Sequence, residues 1–349
     1  MDDRARKVTL GTADLAGSWS SHYRDKKTDR PVSLMNYPFM TIMGQRGDTY
    51  NPVTKQLEAF PFCGGVCTTP YTHDNSHQPG FAYLPYLVTG DYYYLEELQF
   101  WAMWNLLAQN PGYRQDIKGL IIPEQTRGQA WGIRTLSEAA YITPDADLMK
   151  ADFVKLLDNN LEWYNANYSN NPDANALGAI VNGYAITYGN IGLAPWQDDF
   201  FTAAIGHTAE LGFNKAKTFL SWKSKFPIGR MTAPGTCWID GSAYVLMVRA
   251  TESSPFYKTM AEVYKASHTA EFNALACNSP AMASNLGLKV GEMTGYSDGN
   301  MGYPSNMQPA LAYAADATGA AGKAAWALFM SRTVKPNYGD APEFAIVPR

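Results

Sequence analysis

Charged side chains are scarce in this chain of 349 residues: Lys, Arg, Asp and Glu make up 17% of it, and the formal net charge is −4. The sequence contains no run or stripe of Lys and Arg and no basic amphipathic helix, which argues against a nucleic acid or a membrane surface as partner. Long apolar runs are missing too, since none approaches the ~20 residues that span a bilayer. We therefore expect neither nucleic acid nor membrane to be bound.

Aromatic side chains, in contrast, are plentiful, with 22 Tyr and 9 Trp among an aromatic content of 13%. Such a weakly charged, aromatic chain is typical of proteins that contact sugars, because aromatic rings stack on the apolar faces of pyranose rings. Any single ring can equally belong to the core. The composition makes a polysaccharide or oligosaccharide the expected partner.

One unit recurs five times from residue 77 onward: a polar and aromatic start, an amphipathic helix, a short turn and a second helix. Apolar residues follow the i, i+3, i+4, i+7 spacing of a one-faced helix, and Asp91, Asp145 and Ser254 stand where N-caps are expected. Five such hairpins must pack side by side to bury their faces, so we predict an all-α fold. The turns are TGD (89–91), TPDAD (143–147), LGFN (211–214), ESSP (252–255) and ATGAAG (317–322).

The hairpins could form a superhelical solenoid or a closed ring, and the starts of their first helices favour the ring. Gln beside Trp recurs there, and Gln is not a preferred cap. In a ring the N-termini of the first helices converge on one face, where free N–H groups suit a ligand rich in oxygen. The residues expected to bind substrate there are Gln78, Gln129, Trp131, Trp196, Gln197, Trp238, Asn300, Tyr303, Asn306 and Gln308.

The segments AYLPYLVTGDYYYLEELQFWAMWNLL and RGQAWGIRTLSEAAYITPD resemble hairpins of the α/α-toroid enzymes that act on polysaccharides. These are the six-hairpin glycosidases and the toroid-type polysaccharide lyases, including the alginate and heparinase-like groups. The resemblance is architectural, without a diagnostic catalytic motif. It implies an (α/α) toroid of about five to six hairpins over 77–333. An arm of strands and loops at 1–76 precedes it, and a tail packed on the toroid follows at 334–349.

The stretch CGGVCTTPYTHDNSHQP, residues 63–79, concentrates Cys and His. Cys63, Cys67, His73 and His77 are all zinc ligand types, but five residues between the inner pair is far shorter than in zinc fingers, so we expect no metal. A disulfide between the two cysteines and two free thiols both remain open. The state of Cys237 and Cys277, the other two cysteines, is also open.

A lyase acting on a uronate needs a group that neutralises the carboxylate, a base that removes the α-proton and an acid that protonates the leaving oxygen. Asn75, Arg127 or Gln197 could neutralise, His77 could be the base and Tyr188 the acid. Arg134 and Tyr141 share a helix face, a pairing that resembles one in toroid lyases. The His, Tyr, Asn and Arg content of the helix starts makes a β-eliminating lyase the favoured function.

The alternatives are a hydrolase and a noncatalytic carbohydrate-binding or structural module. A hydrolase needs two carboxyl groups about 5–10 Å apart, for which Asp198, Asp199, Asp240 and Glu124 are candidates. No P-loop, dinucleotide fingerprint or H-E-x-x-H motif is present, so no cofactor is expected. A polysaccharide substrate favours an extracellular or periplasmic location, although the opening stretch lacks the apolar segment of a signal peptide.

Overall fold

The computed structural model describes residues 3–18, 22–42, 47–60, 74–78, 80–339 and 345–349. About 51% of the chain is helical and the sheets are small, which confirms the predicted all-α class. The chain divides into two compact units between Trp163 and Tyr164, so the predicted boundary at 76/77 lies inside the first unit. Among the described helices, none is long and apolar enough to cross a membrane.

The described residues of the first unit form five helices and one small hairpin. The third helix is buried on nearly all sides and packs against its neighbours on both sides in sequence, so it forms the core of this unit. The elements are α1 (Asp3–Gly17), β1 (Tyr50–Asn51), β2 (Gln56–Leu57), a 3₁₀ turn (Asn75–His77), α2 (Tyr83–Thr89), α3 (Tyr92–Leu107), a second 3₁₀ turn (Asp116–Lys118), α4 (Thr126–Ile142) and α5 (Lys150–Tyr164).

The second unit is centred on one helix, α12, which packs against α6, α13, α7 and α8. Its buried face carries small residues that let the neighbouring helices approach closely. The elements are a π-helical turn (Asn165–Ser169), β3 (Gly192–Leu193), α6 (Pro195–Glu210), α7 (Asn214–Lys223), α8 (Lys225–Thr232), a 3₁₀ turn (Trp238–Asp240), β4 (Leu246–Met247), α9 (Met260–Ser267), α10 (Ala270–Asn273), α11 (Pro280–Leu286), α12 (Tyr303–Thr318) and α13 (Ala320–Met330).

Four of the five predicted hairpins are present as helix–turn–helix pairs: α2–α3, α4–α5, α6–α7 and α12–α13. The fourth prediction is wrong in its first helix, because the chain after Trp238 forms a 3₁₀ turn and then strand β4, which pairs with β3. The N-cap prediction holds at Asp91, whose side chain accepts from the Tyr93 N–H. Ser254 is not a cap, because Thr259 caps α9 in a capping box with Glu262.

The predicted strands at the start of the arm are also wrong, because residues Asp3–Gly17 form α1. Asp3 lies in the first turn, where the helix dipole favours an acid, and the Thr12 hydroxyl donates to the Val8 carbonyl inside the helix. Ala13 and Ala16, three apart, form the buried side. The short stretch Val8–Leu10, with its β-branched Val8 and Thr9, fits a strand as well as a helix, so the sequence pattern did not distinguish the two.

Arg114 holds part of the arm to the helices of the first unit. Its side chain is fully buried and its two terminal nitrogens donate to four backbone carbonyls, those of Pro38, Met40, Leu106 and Gln109. Burial lowers the pKa of this guanidinium to about 10, so it remains charged at neutral pH. One side chain thereby ties the end of α3 to the segment around residues 38–40.

Candidate functional site

Five aromatic rings cluster in the second unit, at the starts of α6 and α12. Trp196 and Tyr303 stack with ring centroids 6.3 Å apart. Tyr244 lies 5.5 Å and Tyr296 lies 6.1 Å from the Tyr303 ring, and Tyr188 contacts Tyr244 edge-on at 5.6 Å. We call these five residues the aromatic platform.

The platform is open to solvent. Tyr296 is 75% exposed and Tyr244 is 50% exposed. Trp196, Tyr188 and Tyr303 are partly buried, so each presents part of a ring while the remainder is packed. Burial, together with the phenols of Tyr244 and Tyr296, raises the pKa of Tyr303 above its usual range, so this phenol remains protonated and able to donate a hydrogen bond at neutral pH.

A tight turn and a short sheet bring Tyr188 and Tyr244 together. Gly189 and Asn190 both have φ of 58°, the left-handed conformation of a primed hairpin turn, and the Tyr188 N–H donates to the Gly192 carbonyl. Gly192 then pairs with Met247 across β3 and β4. The turn places Tyr188 opposite Gly192, and the antiparallel pairing places β4, which Tyr244 precedes by two residues, beside the same strand; the Tyr188 and Tyr244 rings then contact edge-on at 5.6 Å.

The loop before α12 holds Tyr296 and Tyr303 in place. Tyr296 has φ of 64°, a conformation costly for an aromatic residue. The Tyr303 N–H donates to the Gly295 carbonyl at 2.9 Å, and a Cβ built on Gly295 would lie 2.4 Å from the Tyr303 ring. Only glycine fits at this close approach, so the loop and the ring are packed as one body.

Amide side chains border the rings. Gln197 follows Trp196 directly, Asn300 lies in the loop, and Asn306 lies one turn after Tyr303 and donates to the Gly302 carbonyl at 3.3 Å. All three are partly buried. Aromatic faces with neighbouring amides and phenols are the combination that binds the apolar faces and hydroxyl groups of sugars.

The carboxylates predicted for a hydrolase are placed differently. Asp198 and Asp199 are 2% and 1% exposed and form buried ion pairs with Lys223 and Arg230 respectively. Asp198 also accepts from the Ile180 N–H at 3.0 Å, and Lys223 donates to the Gly178 carbonyl at 2.9 Å. These ion pairs connect α6 to α7 and α8, and the Asp198–Lys223 pair also bonds the segment around 178–180. The charges of Asp198 and Asp199 therefore stabilise the packing of these helices.

The two pairs have different electrostatic consequences. Burial raises the pKa of Asp199 to about 6, although Arg230 acts in the opposite direction. Burial lowers the pKa of Lys223, and Asp198 opposes that shift. Oδ2 of Asp199 is buried without a hydrogen-bond partner in the described part of the chain.

Asp240, the third predicted carboxylate, is 4% exposed and lies beside His268. Its Oδ2 is 2.8 Å from the His268 Nε2, but the approach lacks hydrogen-bond geometry. Asp240, Arg230 and Tyr264 help to line a cavity of about 10 Å³, which is room for about one water molecule. The cavity is too small for a sugar.

In the first unit, the 3₁₀ turn Asn75–His77 packs on α4, the helix that carries Arg127. The His77 Nδ1 lies 2.5 Å from the Asp74 Oδ2, and the His77 side chain is 62% exposed. Although burial opposes it, hydrogen bonds from His77 and the Ser76 N–H, with the charge of Arg127 nearby, lower the pKa of Asp74. Asn75 is 5% exposed, and its Oδ1 has no partner among the described residues.

The other residues predicted in the first unit have internal contacts. Gln78 and Gln129 are buried, donating to the Thr135 hydroxyl at 2.8 Å and to the Glu124 carbonyl at 2.6 Å. The guanidinium of Arg134 lies 4.1 Å above the Trp131 ring. The remaining two candidates, Glu124 and Tyr141, are partly buried and 50% exposed respectively.

Two predictions in the second unit fall on packing residues. Gln308 is 2% exposed, accepts from Arg332 at 3.2 Å and donates to the Ile346 carbonyl at 3.3 Å. Trp238 is partly buried and packs against two hydrophobic clusters.

Sequence reasoning missed Tyr244 and Tyr296. Tyr296 lies in the stretch GYSDGNMGY (295–303), from which Asn300 and Tyr303 were predicted to bind substrate, so the signal was present. Tyr244 was assigned to the first helix of the fourth predicted hairpin, which is not formed, so its contact with Tyr188 was not predicted. Cys63, Cys67 and His73 lie outside the described residues, while Cys237 and Cys277 form a disulfide.

The predicted site residues thus fall mainly into three groupings: the platform, the buried ion pairs and the Asp74–His77 pair. Within the residues the structure describes, no group of three His, Cys, Asp or Glu side chains is arranged to hold a metal ion. No family model, no curated protein and no solved structure matches the chain.

Proposed function

We propose that this protein binds a polysaccharide, and that the aromatic platform of the second unit is the binding surface. The observation that carries the proposal is the clustering of Tyr188, Trp196, Tyr244, Tyr296 and Tyr303 around the starts of two helices. A core cluster would bury these rings, whereas two of them are half exposed or more. Our proposal for the fold is the toroid of helical hairpins, supported by the four hairpins found at the expected places.

Binding is tested by affinity electrophoresis and calorimetry against a panel of neutral and uronic-acid polysaccharides. Tyr303→Ala removes the central ring of the platform, and we expect a loss of about 0.5–1.5 kcal/mol, or roughly 2- to 12-fold in affinity. Tyr184→Ala is the matched control, because Tyr184 is 67% exposed in the same unit without belonging to the platform. Equal binding by both variants, or no binding by the unmodified protein across the panel, would contradict the proposal.

The second candidate is a β-eliminating lyase that acts on a uronate, and the Asp74–His77 pair favours it. An exposed imidazole that is oriented by a carboxylate is the arrangement of a general base. In the reaction the base removes the α-proton next to the uronate carboxylate, the electron pair forms the new double bond, the glycosidic C–O bond breaks, and the leaving oxygen takes a proton from solvent. Arg127, close enough to affect Asp74, would stabilise the negative charge on the carboxylate.

The lyase candidate is tested by the ultraviolet absorbance of the unsaturated uronate product. His77→Ala should abolish any increase in absorbance, while Asp74→Asn should reduce it and leave binding to the platform unchanged. Polysaccharide binding without product from any uronate would reject the lyase and retain the binding function. The hydrolase is the least supported alternative, because three of its four candidate carboxylates, Asp198, Asp199 and Asp240, are at most 4% exposed.

A further inference from the structure

The disulfide between Cys237 and Cys277 joins positions 40 residues apart in the second unit. Cys237 is 3% exposed and belongs to a hydrophobic cluster with Ile239, Phe272 and Met282. Cys277, at the other end, is exposed. One cysteine is therefore fixed in the core of the unit, while the residue that carries the other sulfur is exposed.

The chain that follows Cys237 holds one point of the loop before α12. The Thr294 N–H donates to the Ile239 carbonyl at 2.8 Å, and the Ser242 hydroxyl donates to the Thr294 carbonyl at 2.8 Å. Both polar groups of the Thr294 backbone are thus bonded to the turn that begins at the disulfide. Ser242 is 1% exposed, so this contact is shielded from water.

The chain that follows Cys277 holds a second point of the same loop. Asn278 has φ of 58°, and its Oδ1 accepts from the Gly291 N–H at 2.6 Å. Residues 291–296 therefore contact the chain on both sides of the disulfide. This segment, which we call the clamped segment, ends at Tyr296, and the Gly295 carbonyl within it accepts from the Tyr303 N–H.

The same turn also leads into the platform directly, since Tyr244 follows Ser242 by two residues. Two of the five rings, Tyr244 and Tyr296, are thus positioned by backbone that the disulfide closes. The left-handed φ of Tyr296 is a conformation that persists only where the surrounding structure enforces it. Opening the disulfide removes part of that enforcement.

We propose that the Cys237–Cys277 disulfide is a redox-sensitive clamp that holds the aromatic platform in its binding geometry. Reduction releases the clamped segment and weakens polysaccharide binding; this regulatory role rests on the proposed function of the platform. The reductant is a dithiol. Its thiolate attacks Sγ of Cys277, the S–S bond breaks, and Cys237 leaves as a thiolate that takes a proton. The second thiol of the reductant then displaces Cys277 as a thiol, so two electrons and two protons pass to the protein and the reductant becomes a disulfide.

Two measurements on the full chain test the clamp. The first is polysaccharide affinity before and after treatment with a dithiol under conditions that keep the protein folded. We expect affinity to fall by about 3- to 10-fold, the effect of misplacing one aromatic ring. The second is amide hydrogen exchange, in which the Thr294 and Tyr303 amides should lose protection on reduction while amides in the middle of α12 retain theirs.

Variants separate this disulfide from other cysteines. The double variant Cys237→Ser with Cys277→Ser should bind like the reduced protein and no longer respond to the dithiol. Ser242→Ala should weaken binding without any redox treatment, because it removes one of the two bonds to Thr294. Ser221→Ala is its control, since that exposed hydroxyl bonds only within α7 at the Lys217 carbonyl.

Unchanged affinity together with unchanged exchange at Thr294 after reduction would overturn the clamp. Polysaccharide binding that is absent even in the oxidised protein would instead reject the proposed function, and the exchange experiment would still decide whether the disulfide holds the segment. Should the double variant fail to fold, the dithiol-treated protein and Ser242→Ala give the same decision.

Discussion

Replacing Lys223 by methionine tests whether Asp198 is a structural charge. The ammonium of Lys223 is fully buried and donates to Asp198 and to the Gly178 carbonyl. Methionine retains most of the side-chain volume but cannot donate, so Asp198 is left as a buried carboxylate whose remaining described donor is the Ile180 N–H at 3.0 Å. The substitution therefore isolates the loss of the cation from the loss of packing.

The expected cost follows from the burial of both partners, which are 0% and 3% exposed at their side chains. Removing one member of a buried pair typically destabilises a protein by about 3–5 kcal/mol, because the other charge remains without compensation. For a unit of this size the midpoint of thermal unfolding should fall by on the order of 10 °C. Lys217→Met, on an exposed position of the same helix, should change stability by less than about 0.5 kcal/mol.

The assay is urea unfolding followed by circular dichroism, with reducing-end release measured on the same samples. Asp198→Asn combined with Lys223→Met should recover part of the stability that the single substitution loses, because no unpaired charge is then buried. A loss below about 1 kcal/mol for Lys223→Met would refute the structural role. A stable Asp198→Asn variant that has lost reducing-end release would restore the hydrolase alternative.

Three further predictions concern other buried groups. Asp199 has a native pKa of about 6, against roughly 3.9 in the unfolded chain. The native state thus binds more protons between these values, and its unfolding free energy should fall by about 3 kcal/mol as the pH rises through this window. Asp199→Asn should remove that part of the slope in pH-dependent urea unfolding, and an unaltered slope would contradict the assignment. Arg114→Met should lower the stability of the first unit by about 1–3 kcal/mol, because buried carbonyls lose their donor; chemical denaturation checks this, with Arg6→Met on the exposed side of α1 as the neutral control. Reducing the disulfide, which closes a loop of 40 residues, should cost about 4 kcal/mol of unfolding free energy in the chain-entropy model, and a calorimetric midpoint unchanged by reduction would contradict this value.

Periodicity was sufficient to predict most of the helices. Four hairpins have strong i, i+3, i+4 spacing and Gly, Pro or Asp at their turns, and these local signals were enough to place α2–α3, α4–α5, α6–α7 and α12–α13. The fourth hairpin failed because its first half contains the apolar run YVLMV, which fits a strand as well as a helix. In the structure Leu246–Met247 of this run pairs with Gly192–Leu193, over fifty residues earlier, and so forms a strand. A long-range pairing of this kind leaves no local trace in the sequence.

The candidate site was predictable to the extent that it depends on helix starts. Side chains in the first turn of a helix lean toward its N-terminus, so Trp196 at the second residue of α6 and Tyr303 at the first residue of α12 reach beyond their helix ends and meet. Tyr188 was also predicted as a site residue and lies in the platform, although its assigned role as an acid stays a prediction. Tyr244 was not predicted as a site residue, because the sequence pattern did not indicate β4, the strand that begins two residues after it.

The two aspartates that follow Trp196 show why sequence proximity alone misassigned a chemical role. Asp198 and Asp199 lie two and three residues after a platform ring, yet they turn toward the interior and are neutralised by Lys223 and Arg230. Those cations occur 25 and 31 residues later, on α7 and α8, among residues that are otherwise packed. A carboxylate at a helix start is expected to be exposed and to favour the dipole, so its burial becomes predictable only when a buried cation is recognised elsewhere in the chain. The helix start thus serves two purposes at once. Its outward side chain contributes to the platform, while its inward charges fix α7 and α8, and this anchorage holds Trp196 in a fixed position.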